Sequence, residues 1–189
     1  MSENELVEGI LNKQEAAFKE LVRLYQKQVI ATCYGFVGNA ADAQDIAQDV
    51  FIEVFESIGK FRREAKLSTW IYRMTVNKSI NYKRQTIRRQ WVKSIEHFFG
   101  KDGIETQTVT AHKSDEPNDA MEENEKKIIL HRAIDKLPEN QKIAFTLNKF
   151  DDLSYQQISD IMETSLSSVE SLIHRAKMNL QKYLVNYYK

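Results

Sequence analysis

A chain of 189 residues with 42% hydrophobic side chains, aromatics included, has room for one domain or two small ones with real cores, which excludes a disordered tail. Formal net charge is zero, but residues 1–56 hold ten acids and four bases, 57–93 eleven bases against the single Glu64, 94–124 eight acids and two bases, and 125–189 ten bases and eight acids. Such segregation means that overall neutrality does not exclude a nucleic-acid partner.

The N-terminus "MSENELVEGILNKQ" has no basic-then-apolar signal pattern, and no run approaches the roughly twenty apolar residues needed to span a bilayer. The lone Cys33 excludes an intrachain disulfide, and the four histidines make no His/Cys ligand spacing. A cytoplasmic protein without metal, cofactor or membrane insertion is expected.

Two prolines and six glycines punctuate the chain, and few segments alternate with period two, so the fold class is all-α. Apolar residues from Leu6 to Phe36 recur at helical spacing and predict two helices before the Gly38-Asn39 break. Asp42 is the expected N-cap of a third helix, with Ile46, Val50, Val54 and Ile58 on one face and an end near Gly59. After the loop "GKFRREAKLST", a fourth helix is expected from Ser68 or Thr69 to Arg89. Residues 100–124 hold almost no large apolar side chains and read as linker. Four further helices follow, at Lys126–Lys136, Glu139–Asn148, Ser154–Met162 and Ser165–Tyr183, with Pro138 marking a helix start. The expected domains are 1–95 and 125–189, joined by 96–124.

Three constellations carry function. On the third helix, the side away from Ile46, Val50 and Val54 presents Asp45, Gln48, Asp49, Ile52, Glu53 and Glu56. An acidic face of this kind is ordinarily a solvated surface; it also repels DNA and suits a basic protein partner. Residues 60–93 interleave their bases with Phe61, Trp70, Tyr72, Tyr82 and Trp91. Basic groups track phosphates and aromatics stack on unpaired bases, a composition that fits single-stranded nucleic acid, although Trp70 and Tyr72 equally suit a core. Asn77 and Asn81, four apart on one helix face, add amides able to pair with base edges.

In the third constellation, "LSYQQISDIMETSLSSVESLIHRAKMNL", a short helix with Ile158, Ile161 and Met162, a turn ending at Ser165, and a helix with Val169, Ile173, Ala176 and Leu180 have the helix-turn-helix arrangement. At about 100° per residue, the far side of the second helix presents Ser167, Ser171 and His174, flanked by Glu170 and Arg175. An ordinary antiparallel helix pair has the same periodicity.

The stretch "LPENQKIAFTLNKFDDLSYQQISDIMETSLSSVESLIHRAKMNL" resembles region 4 of bacterial sigma factors of the extracytoplasmic-function group, and "DAQDIAQDVFIEVF" with "FRREAKLSTWIYRMTVNKSINYKRQ" resembles their region 2. The resemblance covers roughly residues 5–93 and 125–184. It implies a monomeric promoter-specificity subunit whose partners are core RNA polymerase and promoter DNA, both duplex and single-stranded, and it admits an anti-sigma factor as a further partner. By resemblance, Asp45, Gln48, Asp49, Ile52, Glu53 and Glu56 grip the polymerase clamp. Phe61, Arg62, Arg63, Lys66, Trp70, Arg73, Asn77, Asn81, Lys83 and Arg84 take the minus-ten element as opened strand, and Ser165, Ser167, Ser168, Glu170, Ser171, His174 and Arg175 meet the minus-thirty-five element. Many members have Gly, Lys and Arg where Glu163, Glu170 and Leu172 stand, so the promoter sequence does not transfer.

Two rival readings compete with this one. A stand-alone helix-turn-helix regulator is expected to dimerise on a palindrome, but the chain has no heptad zipper and leaves the basic aromatic segment unused. An enzyme acting on nucleic acid needs a metal cluster, phosphate loop or nucleophile-base pair, none of which the sequence offers.

Overall fold

The computed structural model describes the backbone of residues 1–99 and 119–185, with side chains for 1–92 and 125–185; no strand occurs among the described residues. Helix α1 (Glu3–Leu11) starts with a reciprocal capping box between Ser2 and Glu5. Helix α2 (Glu15–Val37) stops at Gly38, whose φ of 72° is left-handed and suits a residue without Cβ. Asn39, rather than Asp42, caps α3 (Ala40–Ser57): its Oδ1 accepts from the Ala41 N–H at 2.8 Å. The physical reason is position, since a cap needs extended backbone, which Asn39 has, while Asp42 already lies in the first turn.

A single 3-10 turn, Ile58–Lys60, leads through the loop to α4 (Leu67–Phe99). This helix outruns its expected end at Arg89 because no Gly or Pro interrupts the chain before Gly100. Helix α5 (Asp119–Asp135) likewise begins ahead of Lys126, soon after Pro117, in the helix-favouring "DAMEENEK". Both helices therefore enter the stretch 96–124 expected as linker, and residues 100–118 lie outside the described residues. Helices α6 (Glu139–Phe150), α7 (Tyr155–Met162) and α8 (Leu166–Val185) complete the chain.

The first four helices close over Leu6, Leu21, Val29, Val50, Val54, Leu67 and Ile71. Fully burying such side chains contributes about 1.5–3 kcal/mol each, before chain entropy is counted. The α5–α8 half has one core around Ile134, Phe145 and Leu180. Its second core, with Ala144, Leu147, Ile158, Val169 and Ile173, is continuous with Phe36 of α2 and Val76 and Ile80 of α4. The two halves are thus packed on one another. Gly35 permits the approach: a Cβ there would stand 2.6 Å from Thr146 Cγ2 and 3.0 Å from the Phe150 ring.

Candidate nucleic-acid interface

Asp45, Gln48, Asp49, Ile52 and Glu56 are all exposed on α3. Glu53 is half-buried because it pairs with Lys78 of α4 at 2.9 Å, and that carboxylate raises the Lys78 pKa above its ordinary value. Beside this face, between α2 and α3, runs a groove of about 530 Å³ lined by Phe18, Val22, Ile30, Ala47, Gln48 and Ile52, among others. Phe55, 43% exposed, meets Phe18 edge to face at its border. Spacing along α3 alone brings out the acidic residues and Ile52; Phe18, Val22 and Ile30 join the groove from α2, and Phe55 reaches its border through Phe18. Phe55 is the aromatic that the sequence places on the polar side of α3.

The basic segment divides in two. Arg62 and Lys66 in the loop are exposed, as are Asn77 and Asn81 on α4. Arg63, with φ 61°, donates to Glu8 of α1. Phe61 and Trp70 are half-buried against the α1–α4 core, ring centroids 5.3 Å apart, so their rings support the loop as well as edging its surface.

Further along α4, the bases meet acids of the other half. Arg73 donates to the Asp160 carbonyl at 2.7 Å and pairs with the Glu163 carboxylate at 2.7 Å. Lys83 pairs with Asp135 at 2.8 Å, and Arg84 makes a forked pair with Glu139 at 2.7–2.8 Å. Asn77 lines a cavity of about 240 Å³ with Arg73, Asn140, Ile143 and Glu163. Tyr72 is half-buried in a neighbouring cavity with Leu153, Gln157 and Asp160, and burial, helped by the nearby Asp151 charge, raises its pKa to about 12.

The α7–α8 pair is built by local rules. Ser154 and Gln157 form a capping box at the start of α7. Glu163 ends it at φ 52°, a left-handed position where Gly is the strain-free choice. Ser165 Oγ accepts from the Ser168 N–H at 3.2 Å, which starts α8. Val169, Ile173, Ala176 and Leu180 are buried, while Ser165, Ser167, Glu170, Ser171, His174 and Arg175 are exposed and Ser168 is half-buried. Arg175 Nε donates to the Ser171 carbonyl at 3.2 Å, which lays its side chain along the helix. No described group of three or more His, Cys, Asp or Glu residues has the placement to hold a metal.

A short helix, a tight turn and a second helix with one open polar face place the molecule among helical DNA-binding proteins. Residues 21–90 match the Sigma-70 region 2 family and residues 127–180 match Sigma-70, region 4. The chain is 31% identical over 187 residues to the RNA polymerase sigma-H factor of Pseudomonas aeruginosa, covering 96% of this chain and 93% of that one. With the ECF RNA polymerase sigma-E factor of Haemophilus influenzae it shares 34% identity over 179 residues, 94% of this chain and 92% of the other. The solved structure of CnrH in complex with the cytosolic domain of CnrY has the same fold, with a TM-score of 0.67, 17% identity and 97% coverage of both chains. The sigma factor RpoE of Bartonella quintana, solved with the anti-sigma factor NepR, matches with a TM-score of 0.57 and 18% identity over 88% of this chain and 96% of that one. The chain belongs to the sigma-70 family, in its extracytoplasmic-function group. As a sigma factor it binds core RNA polymerase, directs it to specific promoters and assists their opening. No described helix is long and apolar enough to cross a membrane.

Proposed function

We propose that the three constellations divide the work of this sigma factor among residues 1–95, a linker at 96–124 and residues 125–189, with no reaction catalysed by the chain itself. Asp45, Gln48, Asp49, Ile52, Glu53 and Glu56 dock core polymerase. Phe61, Arg62, Arg63, Lys66, Trp70, Arg73, Asn77, Asn81, Lys83 and Arg84 take the minus-ten strand. Ser165, Ser167, Ser168, Glu170, Ser171, His174 and Arg175 read the minus-thirty-five duplex. The observation that carries this reading is the segregation of charge: an exposed acidic face bordering an apolar groove on α3, a basic and amide-bearing α4, and a nearly uncharged polar face on α8. The relatives solved with CnrY and NepR make an anti-sigma factor a reasonable further partner. Work takes place in the cytoplasm, beside polymerase and the chromosome.

Charge reversal tests the polymerase face. Asp49→Lys is expected to weaken core-polymerase binding at least about tenfold, while the thermal midpoint moves little, since an exposed reversal away from the core shifts stability by under about 0.5 kcal/mol. Unchanged affinity in a fluorescence titration with core polymerase returns the face to solvent.

Reading and holding separate on α4. An amide offers donor and acceptor together, so Asn77→Ala is expected to flatten the preference at one minus-ten base, at a cost of roughly 1–3 kcal/mol, without altering core binding. Run-off transcription on promoters varied one base at a time measures this, and full retention of preference at every base makes Asn77 structural. On α8, Glu accepts from cytosine N4 whereas Lys donates to guanine. Glu170→Lys should therefore change the preferred minus-thirty-five sequence in the same assay, and an unaltered preference places Glu170 outside the interface.

A further inference from the structure

We infer that the DNA-contacting face of α4 runs on beyond the minus-ten residues: Trp91 stacks on an exposed base at one edge of the opened promoter segment, while Arg88 holds a neighbouring phosphate. This deepens the assignment of Asn77 and Asn81 to the minus-ten strand and rests on it.

The sequence keeps this face continuous. No acid occurs between Glu64 and Glu96, so every charged residue of α4 before Glu96 is basic, and no Gly or Pro breaks the helix after Arg84. At roughly 100° per residue, Asn77, Asn81, Arg84, Arg88 and Trp91 fall within about 80° of one another around the helix. All five are exposed. Along one side, two amides are thus followed by two guanidiniums and an indole.

Trp91, 68% exposed, is the most exposed large apolar side chain among the described residues. Single apolar residues scattered on a surface need no partner. Here Ile87 at 51% and Val92 at 47% stand beside Trp91 within six positions, interleaved with Arg88 and Arg89. Arg84 is paired with Glu139, whereas among the described residues no carboxylate pairs with Arg88, which can meet a phosphate without first giving up a partner.

The chemistry of the patch selects its occupant. An indole offers a flat apolar face, and its largest gain comes from covering another flat ring. Base faces are hidden inside a duplex and exposed where the strands have parted or at the last pair beside the opening. A basic protein surface is repelled by the arginines, and an acidic one has no use for the amides in line with them. A rise of about 1.5 Å per residue sets Trp91 roughly 15 Å from Asn81, or about four nucleotides along a stacked strand. The stacked base therefore lies outside the bases read by Asn77 and Asn81. Every base has a face to stack, so Trp91 holds the edge of the opening without choosing among sequences.

The test uses the full chain bound to core polymerase, on promoter DNA carrying 2-aminopurine at one position at a time across and beyond the minus-ten element. At one position, about four nucleotides from the base whose preference depends on Asn77, the probe is expected to stay quenched with the wild type. It should brighten with Trp91→Ala and respond in between with Trp91→Phe. Open complexes challenged with heparin should decay about tenfold faster with Trp91→Ala, whatever the promoter sequence. Arg88→Gln should lower the slope of log affinity against log salt by about one. Arg89→Gln, at a side chain turned about 160° from Trp91, is the control and should leave the probe signal unchanged. Because Trp91 is so exposed, its variants should keep the wild-type thermal midpoint. Absence of any brightened position overturns the stack, and so does weakened binding of Trp91→Ala to core polymerase, which would assign the ring to a protein contact. Asn77→Ala on the same templates keeps the two failures apart. If it flattens the minus-ten preference while Trp91→Ala changes nothing, only the stack is overturned; if neither variant acts, the α4 assignment falls and the stack falls with it.

Discussion

Truncating Phe36 to alanine is expected to destabilise the chain by about 3–5 kcal/mol, among the largest losses available to a single substitution here. Phe36 is 1% exposed, and its ring joins Val76 and Ile80 to Ala144, Leu147 and Ile158 of the other half. The cavity left behind is bordered by α2 and α4 of one half and by α6 and α7 of the other, so neither half can collapse onto it alone. Urea unfolding measures the effect. The midpoint should fall, and a reduced slope would show the halves unfolding as separate units once their shared cluster is broken. Ile87→Ala, at a side chain 51% exposed, is the control and should cost well under about 1 kcal/mol. A Phe36→Ala loss as small as that of the control contradicts the packing between halves.

Asp151→Asn is expected to stabilise the chain at neutral pH by roughly 1–3 kcal/mol. The Thr32 hydroxyl of α2 donates to Asp151 Oδ1 at 2.7 Å, while Oδ2 is buried without a hydrogen-bond partner. Burial raises the carboxyl pKa from 3.8 to about 6; the Thr32 hydrogen bond opposes this, and neighbouring Asp152 adds to it. Cys33 and Tyr72, the other titratable groups near Asp151, have their own pKa values raised by burial to about 11 and 12, so both are neutral at physiological pH.

The sign follows from proton counting. Between pH 3.8 and about 6 the native carboxyl holds more proton than the unfolded one. Its contribution to stability is therefore greatest at low pH, declines through that window and stays at its least favourable above it. Asparagine keeps the acceptor for Thr32 and never ionises. The advantage of the variant should be full at pH 7.5 and close to zero at about pH 4, measured by thermal or urea unfolding of both proteins across pH. A pH-independent difference would place Asp151 in water.

The proposed division of labour also accounts for the weak charge of α8. The exposed polar face of α8 carries mainly Ser167, Glu170, Ser171, His174 and Arg175. Under that proposal it need not supply affinity, because a tethered second contact acts at high effective concentration. The same proposal leaves it the task of choice, to which hydroxyls and one carboxylate are suited.

Much of this was legible in the sequence because it is local. Helix periodicity, the left-handed Gly38, the Ser165 cap and the buried stripe Val169, Ile173, Ala176 and Leu180 depend on residues within a few positions of each other. Charge segregation along the chain is likewise written in order, and so are the motifs of regions 2 and 4. The fate of the charges was not. Whether Arg73, Lys83 and Arg84 face solvent or an acid depends on Glu163, Asp135 and Glu139, which local spacing does not connect to them. Thr32 and Asp151 lie 119 positions apart, and only packing of α2 against the α6–α7 bend buries that carboxylate. Gly35 reads as one small residue in a helix until Thr146 is brought against it. Hydrogen bonding along a helix is set by neighbours in the chain, whereas ion pairing and desolvation are set by neighbours in space, and those exist only once the two halves meet.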